Sequence, residues 1–285
     1  MRRITYKKKA RQVLKCGDSI LNLGSRTYIM GILNVTPDSF SDGGNYIDVE
    51  KAVSHAKDMV KKGADIIDIG GESTRPGSVG ITSGDELKRI LAVLKRLIAE
   101  IEIPISVDTY KAQVAEKVLQ LGVEMINDVW GLQRDPYMAQ VVGKYQVPIV
   151  IMHNQRGNKY KKDIIEELKD YFETSIALAL KGGIKEENII IDPGIGFGKD
   201  LNQNIELMGR LGELTDLGYP ILLGTSRKSM IGKVLNLPAS DRVEGTLATS
   251  VMGIIQGIDI IRVHDIQENL RAIRLTDRIV RVENG

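Results

Sequence analysis

This 285-residue chain has a single cysteine, Cys16, so it cannot form an internal disulfide, and that usage fits a cytoplasmic setting. It has only three histidines, and no His/Cys cluster shows the spacing of a structural zinc site. An excess of one charge is lacking as well. Lys and Arg number 39 against 37 Asp and Glu, and a net charge of +2 gives no reason to expect nucleic acid or a membrane as partner. No apolar run is long enough to span a bilayer. The basic start, MRRITYKKKAR, is the local exception. The apolar core that a secretory signal needs does not follow it, so residues 1–11 are expected to be a solvated, mobile terminus. Nothing resembles a linker, and about 250 residues is usual for an eight-stranded α/β barrel, so residues 1–285 are read as one domain.

What the chain does have is a series of short apolar runs, each ending in polar residues: MGILNVTPDSFSDGG, DIIDIGGESTRPG, ISVDTYK, MINDVWG, VIMHN, IIIDPGIGFGK, ILLGTSRK and IIRVHD. Near-continuous Val, Ile and Leu mark parallel strands covered on both faces, whereas a half-exposed strand would alternate. Eight such runs separated by helical patterns predict a (β/α)8 TIM barrel, an α/β fold whose active site lies at the carboxyl ends of its strands. The strands are expected at Tyr28 to Asn34, Ile66 to Gly70, Ile105 to Asp108, Met125 to Asp128, Ile149 to Met152, Ile189 to Asp192, Ile221 to Gly224 and Ile260 to Val263. The first two helices are expected at about Asp48 to Lys62 and Asp85 to Ile101, the start of the second being the less defined because Gly84 and Asp85 stand where a more acidic start is usual. Gly63, Gly122 and Gly218 follow helical patterns and suit left-handed caps. Upstream, QVLKCGDSILNLG predicts an N-terminal β-hairpin about Gly17 and Asp18 that closes the bottom of the barrel.

Asp108, Asn127 and Asp192 end three different strands, so a closed barrel directs them into one space. Carboxylates that accept paired N–H bonds, beside an amide that both donates and accepts, suit a flat heterocycle rich in ring nitrogens. Taken singly, each is equally well explained as a helix cap. Arg75, Lys228, Arg262, His264 and Asn34 add donors on the same rim. Arg262 and His264 are two apart and share a strand face, which makes a common anion pocket. A lone Arg or Lys is ordinarily a surface ion pair, and a lone His ordinarily structural. The glycines of DPGIGFGK lack dinucleotide spacing and point instead to close backbone approach to a flat ligand. Phe197 then either stacks on that ligand or is core, and Met152 lines the mouth. Asn34 together with a diphosphate could hold Mg²⁺, which combines few protein ligands with substrate phosphates.

In order, NVTPDSFSDGG, GGESTRPG, VDTYK, NDVWG, MHN, DPGIGFGK, SRK and RVHD resemble the dihydropteroate synthase family from about Met30 to Asp265. That resemblance implies a transferase of folate biosynthesis that condenses 6-hydroxymethyl-7,8-dihydropterin diphosphate with para-aminobenzoate, releasing diphosphate. Carried over, Asp108, Asn127, Met152, Asp192, Phe197, Lys228 and Arg262 would surround the pterin. Asn34, Arg75, Arg262 and His264 would take the diphosphate, Asn34 through Mg²⁺. Phe40, Thr74, Pro76 and Ser229 would border the para-aminobenzoate pocket. Asp42, Lys228 and Arg75 would be the catalytic groups. The family also implies a cytoplasmic homodimer inhibited by sulfonamides. A pterin-dependent methyltransferase shares the Asp, Asn, Asp set, but it has no diphosphate to grip and no need for NVTPDSFSDGG or SRK. A non-catalytic pterin-binding paralogue stays open at this point.

Overall fold

The computed structural model describes residues 12–35, 46–73 and 80–281. An antiparallel hairpin, β1 (Gln12–Cys16) and β2 (Ser19–Leu23), turns at Gly17 with φ at +56°. Strands and helices then alternate: β3 (Tyr28–Asn34), α1 (Tyr46–Lys61), β4 (Ile66–Gly70), α2 (Ser83–Glu100), β5 (Ile105–Asp108), α3 (Ala112–Leu119), β6 (Met125–Asp128) and α4 (Met138–Tyr145). The second half continues with β7 (Ile149–Met152), α5 (Ile164–Lys181), β8 (Ile189–Asp192), α6 (Leu201–Arg210), β9 (Leu222–Leu223), α7 (Ser229–Leu235), α8 (Val243–Ile255), β10 (Ile260–Val263) and α9 (Ile266–Val280).

The sheet runs β8-β7-β6-β5-β4-β3-β10-β9 with every pair parallel. A bridge between Ile191 and Ile221 brings its two edges together, and the Ile191 amide donates to Pro220 O at 2.9 Å. The expected α/β barrel and hairpin are both present. The seventh barrel strand is shorter than Ile221 to Gly224, because Pro220 has no N–H to give and the Ile221 amide donates to Asp259 Oδ2 at 2.9 Å instead of to a neighbouring strand. Helix α2 starts two residues early because Thr82 caps it. The Thr82 hydroxyl accepts from the Asp85 amide at 3.2 Å and donates to Asp85 Oδ2 at 2.6 Å, and with the helix starting at Ser83, Asp85 and Glu86 supply an acidic first turn. Gly63, Gly122 and Gly218 take φ of +99°, +101° and +83°, as their caps require.

Alternation along each strand sorts two cores. Outward residues such as Ile29, Ile67, Val107, Ile126, Ile151, Ile191 and Ile261 pack against the inner faces of the helices, Ala52, Ala56 and Met59 of α1 among them. Inward residues Met30, Ile66, Met125, Val150, Ile190, Leu222 and Ile260 join Leu14, Cys16, Leu21 and Leu23 of the hairpin. Burying each large side chain of this layer contributes roughly 1.5–3 kcal/mol, so the hairpin is a plug for the amino-terminal mouth. The far end of the chain fastens the same region. Asp277 of α9 accepts from Thr27 N at 2.7 Å and Thr27 Oγ1 at 2.8 Å, and Arg281 donates to Gly24 O at 3.0 Å. Among the described residues, no helix is long and apolar enough to cross a membrane.

Candidate active site

Above the apolar layer the inward positions turn polar. They are Asn34, Gly70, Asp108, Asn127, Met152 and Asp192 at the strand ends, Gly224 just past β9, and Arg262 on β10. A Cβ at Gly70 would lie 3.7 Å from Asp108 Cβ and 3.9 Å from Asn34 Oδ1. One at Gly224 would lie 3.9 Å from Arg262 Cβ and 4.0 Å from Asp192 Oδ2. The two glycines therefore leave a flat space between polar groups that converge from five other strands, with Met152 from β7 beside them.

Arg262 organises one side of that space. Its Nε donates to Asp68 Oδ2 at 2.6 Å, and a terminal nitrogen donates to Asp108 Oδ2 at 3.0 Å. Asn127 Nδ2 donates to the same Asp68 oxygen at 3.0 Å. Asp68 is fully buried and was not among the residues expected from sequence. The signal for it was a charge inside the apolar run DIIDIG, where a carboxylate must find a partner. The remaining oxygens, Asp68 Oδ1, Asp108 Oδ1 and Asn127 Oδ1, are buried with no hydrogen-bond partner among the described residues. Each such acceptor costs about 1–3 kcal/mol, so a ligand presenting several N–H groups is favoured here.

Asp192 faces this group. Its Oδ1 accepts the Gly194 amide at 2.8 Å. Gly194 has φ at +66°, and a Cβ there would sit 2.0 Å from His153 O, so only glycine fits. Lys228 Nζ donates to Ile195 O at 2.5 Å and lies 4.1 Å from the centre of the Phe197 ring. Burial drives the Lys228 ammonium down to about 8, partly opposed by Asp192. Burial also raises the Asp108 and Asp192 carboxyls, opposed at Asp108 by Arg262 and at Asp192 by the Gly194 amide and Lys228.

The rim is held from behind. Ser226 Oγ is 2.9 Å from His264 Nδ1 and accepts the His264 amide at 3.2 Å, while Arg227 pairs with Asp265 at 2.5 Å. These contacts tie the SRK turn to RVHD. Ser229, expected beside the second substrate, opens α7 and is exposed, and buried Ser226 is the serine that meets the rim histidine. Asp128, next to Asn127 but outward, accepts the Trp130 and Leu132 amides at 2.8 Å each, which is the capping role. Glu72 holds both ends of the β4–α2 connection. One oxygen accepts from Tyr110 Oη at 3.0 Å and the other from the Ile81 amide at 3.3 Å, and Lys111 pairs with both Glu72 and Glu86. Phe40, Asp42, Thr74, Arg75 and Pro76 lie outside the described residues. A cleft of about 600 Å³, lined by Ser73, Tyr110, Trp130, Arg134, Gly196 and Phe197 among others, opens beside the polar floor.

No cluster of three or more His, Cys, Asp or Glu suited to a metal occurs among the described residues. A metal carried by the substrate's phosphates needs no such cluster. Asn34, half-buried at the end of β3, offers the single neutral oxygen that such an ion takes from protein, so the donor set fits Mg²⁺ of this kind.

The chain matches the pterin binding enzyme family over residues 30–264. It is 53% identical over 272 residues to a dihydropteroate synthase of Clostridium beijerinckii, covering 94% of this chain and all of that one. Among solved structures, a Clostridium difficile dihydropteroate synthase determined in the presence of pteroic acid is 61% identical with a TM-score of 0.91, covering 92% of this chain and 100% of the other. A Xanthomonas albilineans dihydropteroate synthase in complex with 7,8-dihydropteroate is 37% identical with a TM-score of 0.87, covering 95% and 100%.

Proposed function

Because this chain belongs to the pterin-binding enzymes, among the dihydropteroate synthases, we infer that it condenses 6-hydroxymethyl-7,8-dihydropterin diphosphate with para-aminobenzoate, giving 7,8-dihydropteroate and diphosphate. It is a transferase. The observation that carries the assignment of the site is the inward ring of buried acceptors on Asp68, Asp108, Asn127 and Asp192, flanked by Lys228 and Arg262.

Asp108, Asn127 and Asp192 bind the amino and ring N–H groups of the pterin, Phe197 and Met152 pack on its faces, and Lys228 places a cation at its edge. Arg262 uses two nitrogens on Asp68 and Asp108. Its third nitrogen has no hydrogen bond among the described residues, and with His264 and Arg75 it takes the diphosphate. Mg²⁺ on the diphosphate, held by Asn34, would supply further neutralisation of the leaving charge. Departure of diphosphate leaves positive charge on the exocyclic methylene, which the electron-rich pterin delocalises and the Asp42 carboxylate stabilises. The aromatic amine is already nucleophilic, so Phe40, Thr74, Pro76 and Ser229 act by positioning it. Sulfonamides would occupy that same pocket. Purified protein given pterin diphosphate, para-aminobenzoate and Mg²⁺ is expected to release diphosphate only when both organic substrates are present. A sulfonamide should raise the KM for para-aminobenzoate without changing kcat. No release would end this reading.

The chain is further read as a cytoplasmic homodimer. Buried Cys16, the only cysteine, fits the compartment. Val234 and Leu235 on α7, Met252 on α8, and Leu275 and Ile279 on α9 are exposed, which is more apolar surface on three consecutive helices than scattered single residues need. Light scattering should give twice the chain mass, and Val234→Glu should shift it toward one. A monomeric wild type at micromolar concentration would exclude the dimer.

A further inference from the structure

The DPGIGFGK turn contains a lysine that the condensation above does not use. Lys199 Nζ lies 2.8 Å from His153 Nδ1, 3.0 Å from Gly194 O and 3.0 Å from Phe197 O. Three acceptors match the three donors of an ammonium. Two of them belong to residues that shape the pterin space: the Gly194 amide holds Asp192 Oδ1, and the Phe197 ring lies beneath Lys228 Nζ. The third belongs to β7's carboxyl end. The His153 amide donates to Asp192 O at 2.9 Å, and its ring packs edge-on to Tyr171 at 4.7 Å and over Tyr160 at 6.1 Å. Burial holds that ring well below the usual histidine range, which leaves it neutral with Nδ1 free to accept.

The turn needs outside ties. Gly194, Gly196 and Gly198 all take positive φ, at +66°, +84° and +58°, and glycines have no side chains with which to hold such a path. Asn204 supplies one tie, accepting from the Gly196 amide at 2.6 Å. We propose that Lys199 is a positioning residue for the pterin pocket, fastening the β8–α6 turn to the end of β7 so that Gly194 orients Asp192 and Phe197 lies where the ring stacks. Burial draws the Lys199 ammonium down to about 7, partly opposed by Asp192, so it helps Asp192 stay ionised only below neutral pH, while its contacts to the turn act by geometry. The proposal rests on the pterin reading of the site.

The test is Lys199→Met, which keeps the chain length and removes the donors. In a variant that retains the wild-type urea midpoint to within a small shift, the KM for pterin diphosphate and the Kd of a simple pterin are expected to rise about tenfold. The KM for para-aminobenzoate, measured at saturating pterin diphosphate, should stay unchanged. An unchanged pterin KM, or equal rises for both substrates, would overturn the positioning role. If Lys199→Met does not fold, His153→Phe decides: it keeps the packing on Tyr160 and Tyr171, removes one acceptor, and should weaken pterin alone several-fold, with no effect overturning the proposal. Wild type that binds no pterin at all would instead refute the site reading, so the two failures are distinguishable.

Discussion

Asp192→Asn is expected to lower pterin affinity on the order of a hundredfold without destabilising the fold. The Gly194 amide, 2.8 Å from Asp192 Oδ1, dictates which way the new amide turns: its oxygen keeps that bond and its NH2 faces the pocket. A donor then meets the pterin's own N–H groups in a space already short of water. Stability moves the other way. Burial already raises the Asp192 carboxyl, so a neutral amide removes a group whose ionised form folding must desolvate. Calorimetry with a simple pterin, beside a urea titration, separates the two effects. Near-normal affinity in the folded variant would take Asp192 out of the pterin site.

Arg262→Met is expected to cost about 3 kcal/mol of folding stability as well as catalysis, because it strips two buried carboxylates of one shared cation. Asp68 is fully buried and Asp108 nearly so, and both are held by the Arg262 fork. The loss carries a definite pH dependence. Asp108 is already raised in the folded state with Arg262 present, and removing the guanidinium raises it further above its unfolded value. Between those two values the folded protein binds more protons than the unfolded chain, so stability falls as pH rises through the window. Wild type shares that loss up to its own Asp108 value of about 8, so the deficit relative to it widens only above there and should be larger at roughly pH 9.5 than at roughly pH 6. Urea midpoints at the two pH values check this, and a pH-independent loss would show that Arg262 contributes by packing alone.

The barrel was legible because a strand buried on both faces cannot hide its composition. Ile189–Asp192 is three isoleucines and an aspartate, and every one of them is buried. The inward polar residues at strand ends were legible for the same reason, since an Asp or Asn that closes an apolar run has few places to go. What sequence did not show follows from side-chain direction and from partners distant in the chain. Asp68 sits two residues inside its strand and is recognisable only when Asn127 and Arg262 arrive beside it. Asn127 and Asp128 are neighbours in NDVWG, but the strand's alternation gives one to the site and the other to a cap. Ser226 and Ser229 differ by one helical start, and only the fold shows which faces His264. Lys199 reads as the tail of a glycine motif until its three acceptors are in place.

The hairpin plug has a consequence for synthesis. Leu14, Cys16, Leu21 and Leu23 leave the ribosome long before Leu222 and Ile260 of the layer they complete, and Thr27 long before Asp277, which fastens it. The hairpin therefore cannot reach its final surroundings until β10 and α9 have emerged. For all that time its apolar face has no native partner from the last strands, which is the interval in which a nascent chain is open to misassociation and to capture by chaperones. Contacts spanning some 250 positions also place the closing event late on the folding path, because loop closure comes before the apolar reward. Translation order and assembly order run in opposite directions here, and a hairpin made before the barrel is among the last parts of it to be finished.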